Sequence, residues 1–76
     1  MPHAIVKLYV GRSEEQKRRI AEAVTQAIIA TADSNEAAVS VSIEDIAPAD
    51  WTEKVYRPDI SARPEILYKK PGYEPK

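Results

Sequence analysis

The feature that most constrains the fold is the order of two alternating segments around one helical segment. From His3 to Val10, apolar side chains recur at every second position, which is typical of a strand. Gly11 ends this pattern, and Ser13 stands three residues before Gln16, the spacing of a capping box at a helix start. A second alternating segment runs from Val39 to Ile46. We therefore predict a β-α-β unit in the α+β class, whose right-handed crossover sets the two strands parallel.

The segment between the two strands has the spacing of an amphipathic helix. Its apolar stripe includes Ile20, Val24 and Ile28, and the pattern fades at Asp33. We expect one long helix of about five turns lying on one face of the sheet.

The last third of the chain carries five of its six prolines, which disfavours long continuous helices. Pro48 suits the first turn of a short helix through Trp51 and Val55. The apolar run from Ile66 to Tyr68 predicts a brief strand or an arm along a neighbouring subunit. Because there is no internal repeat and no low-complexity linker, we predict that residues 1–76 form one domain whose C-terminal segment packs on the rest of the protein.

The chain is small enough to need support beyond its own core. A domain near 76 residues buries only about 60% of the surface that its unfolded form exposes. There is no cysteine, and His3 is the only histidine, so disulfides and a structural metal are excluded. Ile5 and Tyr9 add apolar area to the sheet face opposite the helix. We predict that self-association covers this face, with a dimer as the expected homo-oligomer and a hexamer as the alternative.

Charge excludes two classes of partner. Eleven basic and twelve acidic residues give a net charge of −1, which provides no overall field to attract nucleic acid or an anionic membrane. There is no long apolar run for a transmembrane helix or a signal peptide. Together with the lack of cysteine, this makes the cytoplasm the expected location.

Pro2, directly after Met1, is the candidate for chemistry. Removal of Met1 exposes a prolyl secondary amine, which can act as a base. Alone, a proline at this position is an ordinary occurrence, so the interpretation depends on the rest of the chain.

The whole chain resembles the 4-oxalocrotonate tautomerase family of the tautomerase superfamily. The matching segments are residues 1–3 (Met-Pro-His), residues 11–17 (Gly-Arg-Ser-Glu-Glu-Gln-Lys), residues 39–43 and Trp51, and residues 68–73 (Tyr-Lys-Lys-Pro-Gly-Tyr) resemble the PptA-like subgroup. The resemblance implies a β-α-β subunit assembled as dimers or as hexamers of dimers. It implies an isomerase without cofactor or metal, in which an amino-terminal proline shuttles a proton between carbon and oxygen of a small enol or ketone.

The resemblance also assigns roles residue by residue. Pro2 matches the catalytic base, Arg12 matches an arginine that binds the substrate carboxylate, and Trp51 stands where an aromatic residue often lines the pocket. Ser40 occupies the second-strand position at which the founding members place a catalytic arginine. That departure removes the cation expected to polarise the substrate carbonyl and leaves the substrate unidentified.

Physical chemistry supports the assignment of Pro2 and leaves other roles open. A base at neutral pH needs a pKa near 7, and an apolar crevice with a neighbouring cation such as Arg12 lowers the pKa of an amine. Ser40 and Ser42 are either hydrogen-bond donors to a developing enolate or ordinary polar strand residues. His3 is either a proton relay or a packed strand residue. Hydration or dehalogenation of an unsaturated acid, or a non-catalytic binding module, are the alternative functions.

Overall fold

The computed structural model describes residues 1–75, so that Lys76, the last residue of the predicted domain, lies outside the described residues. The three principal elements are β1 (His3–Tyr9), α1 (Glu14–Ala32) and β2 (Ser40–Ile46). The strands pair in parallel along their whole length, beginning with His3 opposite Ser40. The predicted β-α-β unit with parallel strands and one long helix is confirmed.

Local chemistry at both ends of α1 explains why the helix occupies this range. Gly11 has a φ of 122°, a backbone conformation that favours glycine, and it turns the chain away from β1. The Ser13 hydroxyl accepts from the Gln16 N–H, and the Gln16 side chain accepts from the Ser13 N–H, which completes the predicted capping box. At the other end, Asp33 adopts the left-handed conformation that closes many helices.

An ion-pair cluster joins the first turn of α1 to the end of β2. The Lys17 ammonium lies 2.9 Å from a carboxylate oxygen of Asp45 and 2.9 Å from one of Glu14. Because alternate strand residues point to one face, Asp45 lies on the same sheet face as Val41 and Ile43. This cluster and the apolar stripe therefore hold α1 against one face of the sheet.

The C-terminal third is built from short helical pieces. They are a 3₁₀ turn at Pro48–Asp50, a π-helix at Thr52–Ser61 (the C-terminal helix) and a 3₁₀ turn at Pro64–Ile66. The predicted short helix through Trp51 and Val55 is present, and it continues past Pro58 to Ser61. The wider turn of a π-helix, in which Ala62 bonds back five residues to Arg57, avoids the crowding that proline causes in an α-helix.

The predicted strand from Ile66 to Tyr68 is wrong for the single chain. Pro64 fixes φ at the first position of the 3₁₀ turn, so the backbone closes on itself instead of extending. Tyr68 is 100% exposed. Its packing as an arm along a neighbouring subunit stays a prediction.

The sequence predicted that the sheet face opposite α1 is bare in a single copy. This prediction is wrong, because the C-terminal helix covers part of that face. Lys7 on this face pairs with Asp59, and Val55 beside it is only 4% exposed. Ile5 on the same face remains 57% exposed. The cover is therefore incomplete.

A single copy leaves far more surface than a stable monomer of its size. Its accessible area is 5875 Å², whereas a folded monomer of 8.5 kDa exposes about 4,700 Å². Its radius of gyration is 13.8 Å, against about 11.4 Å for a compact domain of this length. Val55, at 4% exposure, is the only buried apolar side chain among residues 1–75. The excess area exceeds the roughly 800 Å² that each partner buries in a standard interface.

None of the helices formed by residues 1–75 combines the length and the apolar character that crossing a membrane requires.

We predict that the protein is a homo-oligomer, with the dimer as the smallest stable species, because one copy cannot bury its own apolar surface. Size-exclusion chromatography with light scattering at micromolar concentration should give a mass of at least twice 8.5 kDa. A well-folded species of 8.5 kDa at that concentration, with cooperative unfolding, would contradict the prediction.

Candidate active site

Two of the four predicted site residues, Pro2 and Ser40, meet at the amino-terminal end of the sheet. The Pro2 carbonyl accepts from the Ser40 N–H at 3.2 Å, which extends the strand ladder by one bond. The Ser40 hydroxyl lies 2.6 Å from Nδ1 of His3 on the neighbouring strand. With Met1 attached, the Pro2 nitrogen is an amide nitrogen and carries no basic lone pair.

The other two, Arg12 and Trp51, lie at the opposite end of β1. Nη1 of Arg12 donates to the Tyr9 carbonyl at 3.2 Å. The Tyr9 and Trp51 rings meet edge to face, with centroids 5.1 Å apart and planes at 83°. The Trp51 indole N–H donates to the Tyr73 hydroxyl at 2.8 Å. A guanidinium group therefore lies beside three aromatic side chains, drawn from β1, from the turn before the C-terminal helix and from the C-terminal segment.

This aromatic cluster lines an open surface cavity of about 340 Å³ that includes Arg12. Its lining residues are Lys7, Leu8, Tyr9, Arg12, Trp51 and Tyr73. We call it the Arg12 cavity. An arginine above aromatic and aliphatic walls can hold a carboxylate by its paired N–H groups while the apolar part of the ligand contacts the rings.

A neighbouring cavity of about 390 Å³ lies between the sheet and the C-terminal helix. Ile5 and Val55 contribute its apolar walls, and Trp51 and Lys7 line both cavities. Ile5 and Trp51 therefore line a common cavity within a single copy.

One copy of the chain does not bring all four residues together. β1 has seven residues, and at about 3.3 Å per residue its ends lie about 20 Å apart. Pro2 precedes the first residue of this strand, while Arg12 is bonded to the carbonyl of the last. Because a strand is a stiff rod, Pro2 and Arg12 of the same chain cannot contact one small molecule.

Lys7 forms two ion pairs next to the Arg12 cavity, and the sequence did not predict a role for it. Its ammonium donates to Asp59 at 2.5 Å and lies 4.0 Å from Glu44. The hydrogen bond to Asp59, with a smaller contribution from the charge of Glu44, raises the pKa of Lys7 above its ordinary value of 10.5. Lys7 is therefore charged at neutral pH and cannot be a base there. Its pair with Asp59 holds the C-terminal helix on β1.

Tyr9, Tyr73 and Lys7 were all missed by reasoning from the sequence. Tyr9 and Lys7 read as one face of an alternating strand, which gives no functional signal. Tyr73 lies 22 positions after Trp51, and only the Pro71-Gly72 pair signals that the chain reverses before it.

No group of three or more His, Cys, Asp or Glu side chains within residues 1–75 is arranged to hold a metal ion.

Comparison with known proteins identifies a family for most of the chain. Residues 2–55 match the family model described as Tautomerase enzyme. A probable tautomerase of Xylella fastidiosa is 41% identical over 73 residues, covering 96% of this chain and 89% of the relative. Tautomerase PptA of Cronobacter sakazakii is 35% identical over 75 residues, covering 97% of this chain and 99% of the relative.

A solved structure extends the similarity to three dimensions. It is a heterohexamer 4-oxalocrotonate tautomerase from Chloroflexus aurantiacus, which superposes with a TM-score of 0.64 at 33% identity. The superposition covers 67% of this chain and 82% of that chain. The predicted resemblance to the 4-oxalocrotonate tautomerase family and to the PptA-like proteins is confirmed.

We predict that Asp59→Asn destabilises the protein by about 0.5 to 1 kcal/mol at pH 8, the range for a partly exposed ion pair. The pKa of Lys7 is raised in the folded state, so the pair stabilises fully below pH 10.5 and loses its effect as pH rises through the folded pKa. Urea unfolding at one protein concentration should therefore show a difference at pH 8 that decreases as the pH rises above 10.5 and through the folded pKa of Lys7.

Asp50→Asn is the matched control, because its pair with Lys54 at 3.4 Å joins two well-exposed side chains. It should change stability little at either pH. A difference for Asp59→Asn that stays the same from pH 8 until Lys7 has lost its proton would contradict the role of the Lys7 charge.

Proposed function

The chain belongs to the tautomerase family, and on this basis we propose that it moves a proton between carbon and oxygen, or between two carbons, of a small carboxylate-bearing enol or keto compound. Pro2 is the general base and acid, after removal of Met1. The mechanism requires no cofactor, no nucleic acid and no membrane, and the cytoplasm is its expected setting. The activity is thus an isomerisation at a site made by the amino-terminal nitrogen of Pro2 and protein side chains.

The observation that carries the proposal is the state of Arg12 in its cavity. Arginine has five N–H donors, and one of those in Arg12 is used, by the Tyr9 carbonyl. Within residues 1–75 its guanidinium forms no ion pair, unlike Lys7 and Lys17. A positive charge without a protein carboxylate, beside the ring of Trp51, suits an anionic ligand with an apolar body.

Two-fold symmetry supplies the base that this cavity lacks. A two-fold axis perpendicular to β1 reverses the direction of that strand in the second copy. The amino-terminal end of one strand then lies beside the carboxyl end of the other. We propose that Pro2 of one copy faces Arg12 and Trp51 of the other, so that each dimer has two equivalent sites and neither copy is complete alone.

The same arrangement supplies the environment that a basic proline needs. A terminal α-amine has an ordinary pKa of about 7.7 to 8.0, and a prolyl amine is more basic. An apolar surrounding disfavours the ammonium form, and a nearby guanidinium disfavours it further. Both lower the pKa of the Pro2 nitrogen toward neutrality, which is where a general base works best.

The reaction then needs only one proton carrier. The neutral Pro2 nitrogen takes a proton from the carbon next to the carbonyl, the C–H electron pair forms the C=C bond, and the former C=O pair moves onto oxygen. The Pro2 ammonium then gives that proton to the oxygen and is neutral again. In the reverse direction the neutral Pro2 nitrogen takes the O–H proton of the enol, and the resulting ammonium protonates carbon. Ser40, held by His3 beside Pro2, contributes a hydroxyl to this end of the site.

We propose a homo-oligomer, with the dimer as the unit that completes each site. The Chloroflexus aurantiacus relative is a heterohexamer, so assembly beyond the dimer is compatible with the family. A hexamer made of three dimers would keep the same pairing of strand ends.

We predict that Pro2→Ala and Pro2→Gly lose about 10²-fold or more in kcat/KM toward phenylenolpyruvate or 2-hydroxymuconate, because the positioned secondary amine is replaced by a more mobile primary amine. Ultraviolet assays of ketonisation measure the rates, and intact mass confirms that Met1 has been removed from each preparation. Unchanged turnover in both variants would contradict the role of Pro2.

The matched control keeps Pro2 but blocks its nitrogen with an uncleaved residue ahead of it. Its amide nitrogen cannot accept a proton, so this protein should be as inactive as Pro2→Ala while its oligomeric state is unchanged. Full activity in the blocked protein would also exclude the amine as the base.

A further inference from the structure

The proposed reaction places negative charge on an oxygen that has no assigned hydrogen-bond donor. The founding family members have a second-strand arginine where this chain has Ser40. The Ser40 hydroxyl is 2.6 Å from Nδ1 of His3, and the tautomer of His3 determines which of the two groups donates. Arg12 is assigned to the carboxylate. The side chains that line the Arg12 cavity offer a further donor.

Tyr73 has a hydroxyl group whose hydrogen-bond direction is determined by its neighbour. The Trp51 indole N–H is a donor only, and it lies 2.8 Å from the Tyr73 oxygen. The phenol oxygen is therefore the acceptor in this bond, and its own proton points elsewhere. Within residues 1–75 no protein group accepts that proton. The hydroxyl is thus free to donate to a ligand.

The ring of Tyr73 is held in place by two aromatic neighbours. Tyr56 packs against it with centroids 5.7 Å apart and planes at 52°, and Trp51 fixes its hydroxyl. Trp51 is in turn packed on Tyr9 at the end of β1. A donor positioned before the ligand arrives does not need to be reorganised during the reaction.

Tyr73 shares the Arg12 cavity with the group assigned to the substrate carboxylate. In a 2-oxo or 2-hydroxy acid the reacting oxygen is on the carbon next to the carboxylate. A carboxylate held by Arg12 therefore keeps the reacting oxygen within the same cavity of about 340 Å³. A hydrogen bond accepted from Trp51 also makes the Tyr73 hydroxyl a stronger donor.

We propose that Tyr73 is a catalytic residue that donates a hydrogen bond to the substrate oxygen as that oxygen becomes negative, and so replaces the arginine missing at position 40. This inference rests on the proposed tautomerase function. When Pro2 removes the proton from carbon, the electron pair of the carbonyl moves to oxygen, and Tyr73 shares its proton with that oxygen without giving it up. Trp51 acts as a positioning residue through its bond to the Tyr73 oxygen.

The test is Tyr73→Phe, which keeps the ring and removes the hydroxyl. We expect kcat for phenylenolpyruvate to fall by about 10²-fold, the usual effect of losing one oxyanion donor, while KM changes by less than about threefold. Arg12→Ala should show the opposite pattern, with a larger rise in KM. Tyr68→Phe is the control for loss of an exposed hydroxyl and should match the wild type, since Tyr68 is 100% exposed.

Parallel measurement of Pro2→Ala separates this inference from the proposed function. Wild-type kcat in Tyr73→Phe together with an inactive Pro2→Ala would overturn the role of Tyr73 and leave the tautomerase proposal intact. An active Pro2→Ala would overturn the proposed function itself. A loss in Tyr73→Phe that falls only on KM would also overturn the inference, because it indicates ground-state binding.

Trp51→Phe provides a second test that does not depend on the folding of Tyr73→Phe. It keeps an aromatic ring against Tyr9 but removes the N–H that orients the Tyr73 hydroxyl. We expect a decrease in kcat that is smaller than that of Tyr73→Phe and that adds nothing in the double variant, because both changes remove the same hydrogen bond to substrate. Unchanged kcat in Trp51→Phe would contradict the positioning role of Trp51. A double variant whose loss in kcat is the product of the two single losses would contradict it as well.

Discussion

The parallel pairing of β1 with β2 is the constraint on which the rest of the structure depends. A parallel pair needs a long crossover, and α1 provides it, so the two strands start at one end of the subunit and finish at the other. Pro2 and Ser40 consequently meet at the start of the sheet, linked by a backbone hydrogen bond of 3.2 Å. Arg12 and Trp51 lie at the carboxyl-terminal end of β1, about 20 Å away along a rigid strand. The chemistry assigned to these residues is therefore divided between the two ends of one copy.

The same constraint connects catalysis with assembly. A two-layer unit of one sheet and one long helix leaves a second sheet face, and the C-terminal helix covers this face only in part. The accessible area of 5875 Å² in one copy exceeds that of a compact monomer by more than one side of a standard interface. In our account the contact that buries this apolar area also brings the strand ends of two copies together. Stability and activity would then be lost at the same step, dissociation of the dimer.

The fold was predictable from the sequence where local signals agreed with each other. Alternation in both strands, Gly11 before the helix and the Ser13 capping box each indicate the same boundaries, and the structure has them within a residue or two. The C-terminal third was harder, because proline restricts the backbone without specifying which tight helix forms, and the expected strand near Ile66 is a 3₁₀ turn. The four candidate site residues were named from the sequence, but their separation in space was not predicted, since it depends on strand length in three dimensions. Tyr73 was missed because its contact with Trp51 is long-range and follows no periodicity.

The shared site is the central claim, and mixing of two inactive variants tests it most directly. At a substrate concentration near the wild-type KM, Pro2→Ala and Arg12→Ala should each have little activity as pure proteins, because every site in the dimer lacks either the base or the carboxylate-binding arginine. After co-refolding in equal amounts, half of the dimers are mixed, and each mixed dimer has one site with both native residues. The account predicts recovery of about a quarter of wild-type activity. Absence of recovery, with mass spectrometry showing that mixed dimers have formed, would show that Pro2 and Arg12 act within a single copy and would contradict it.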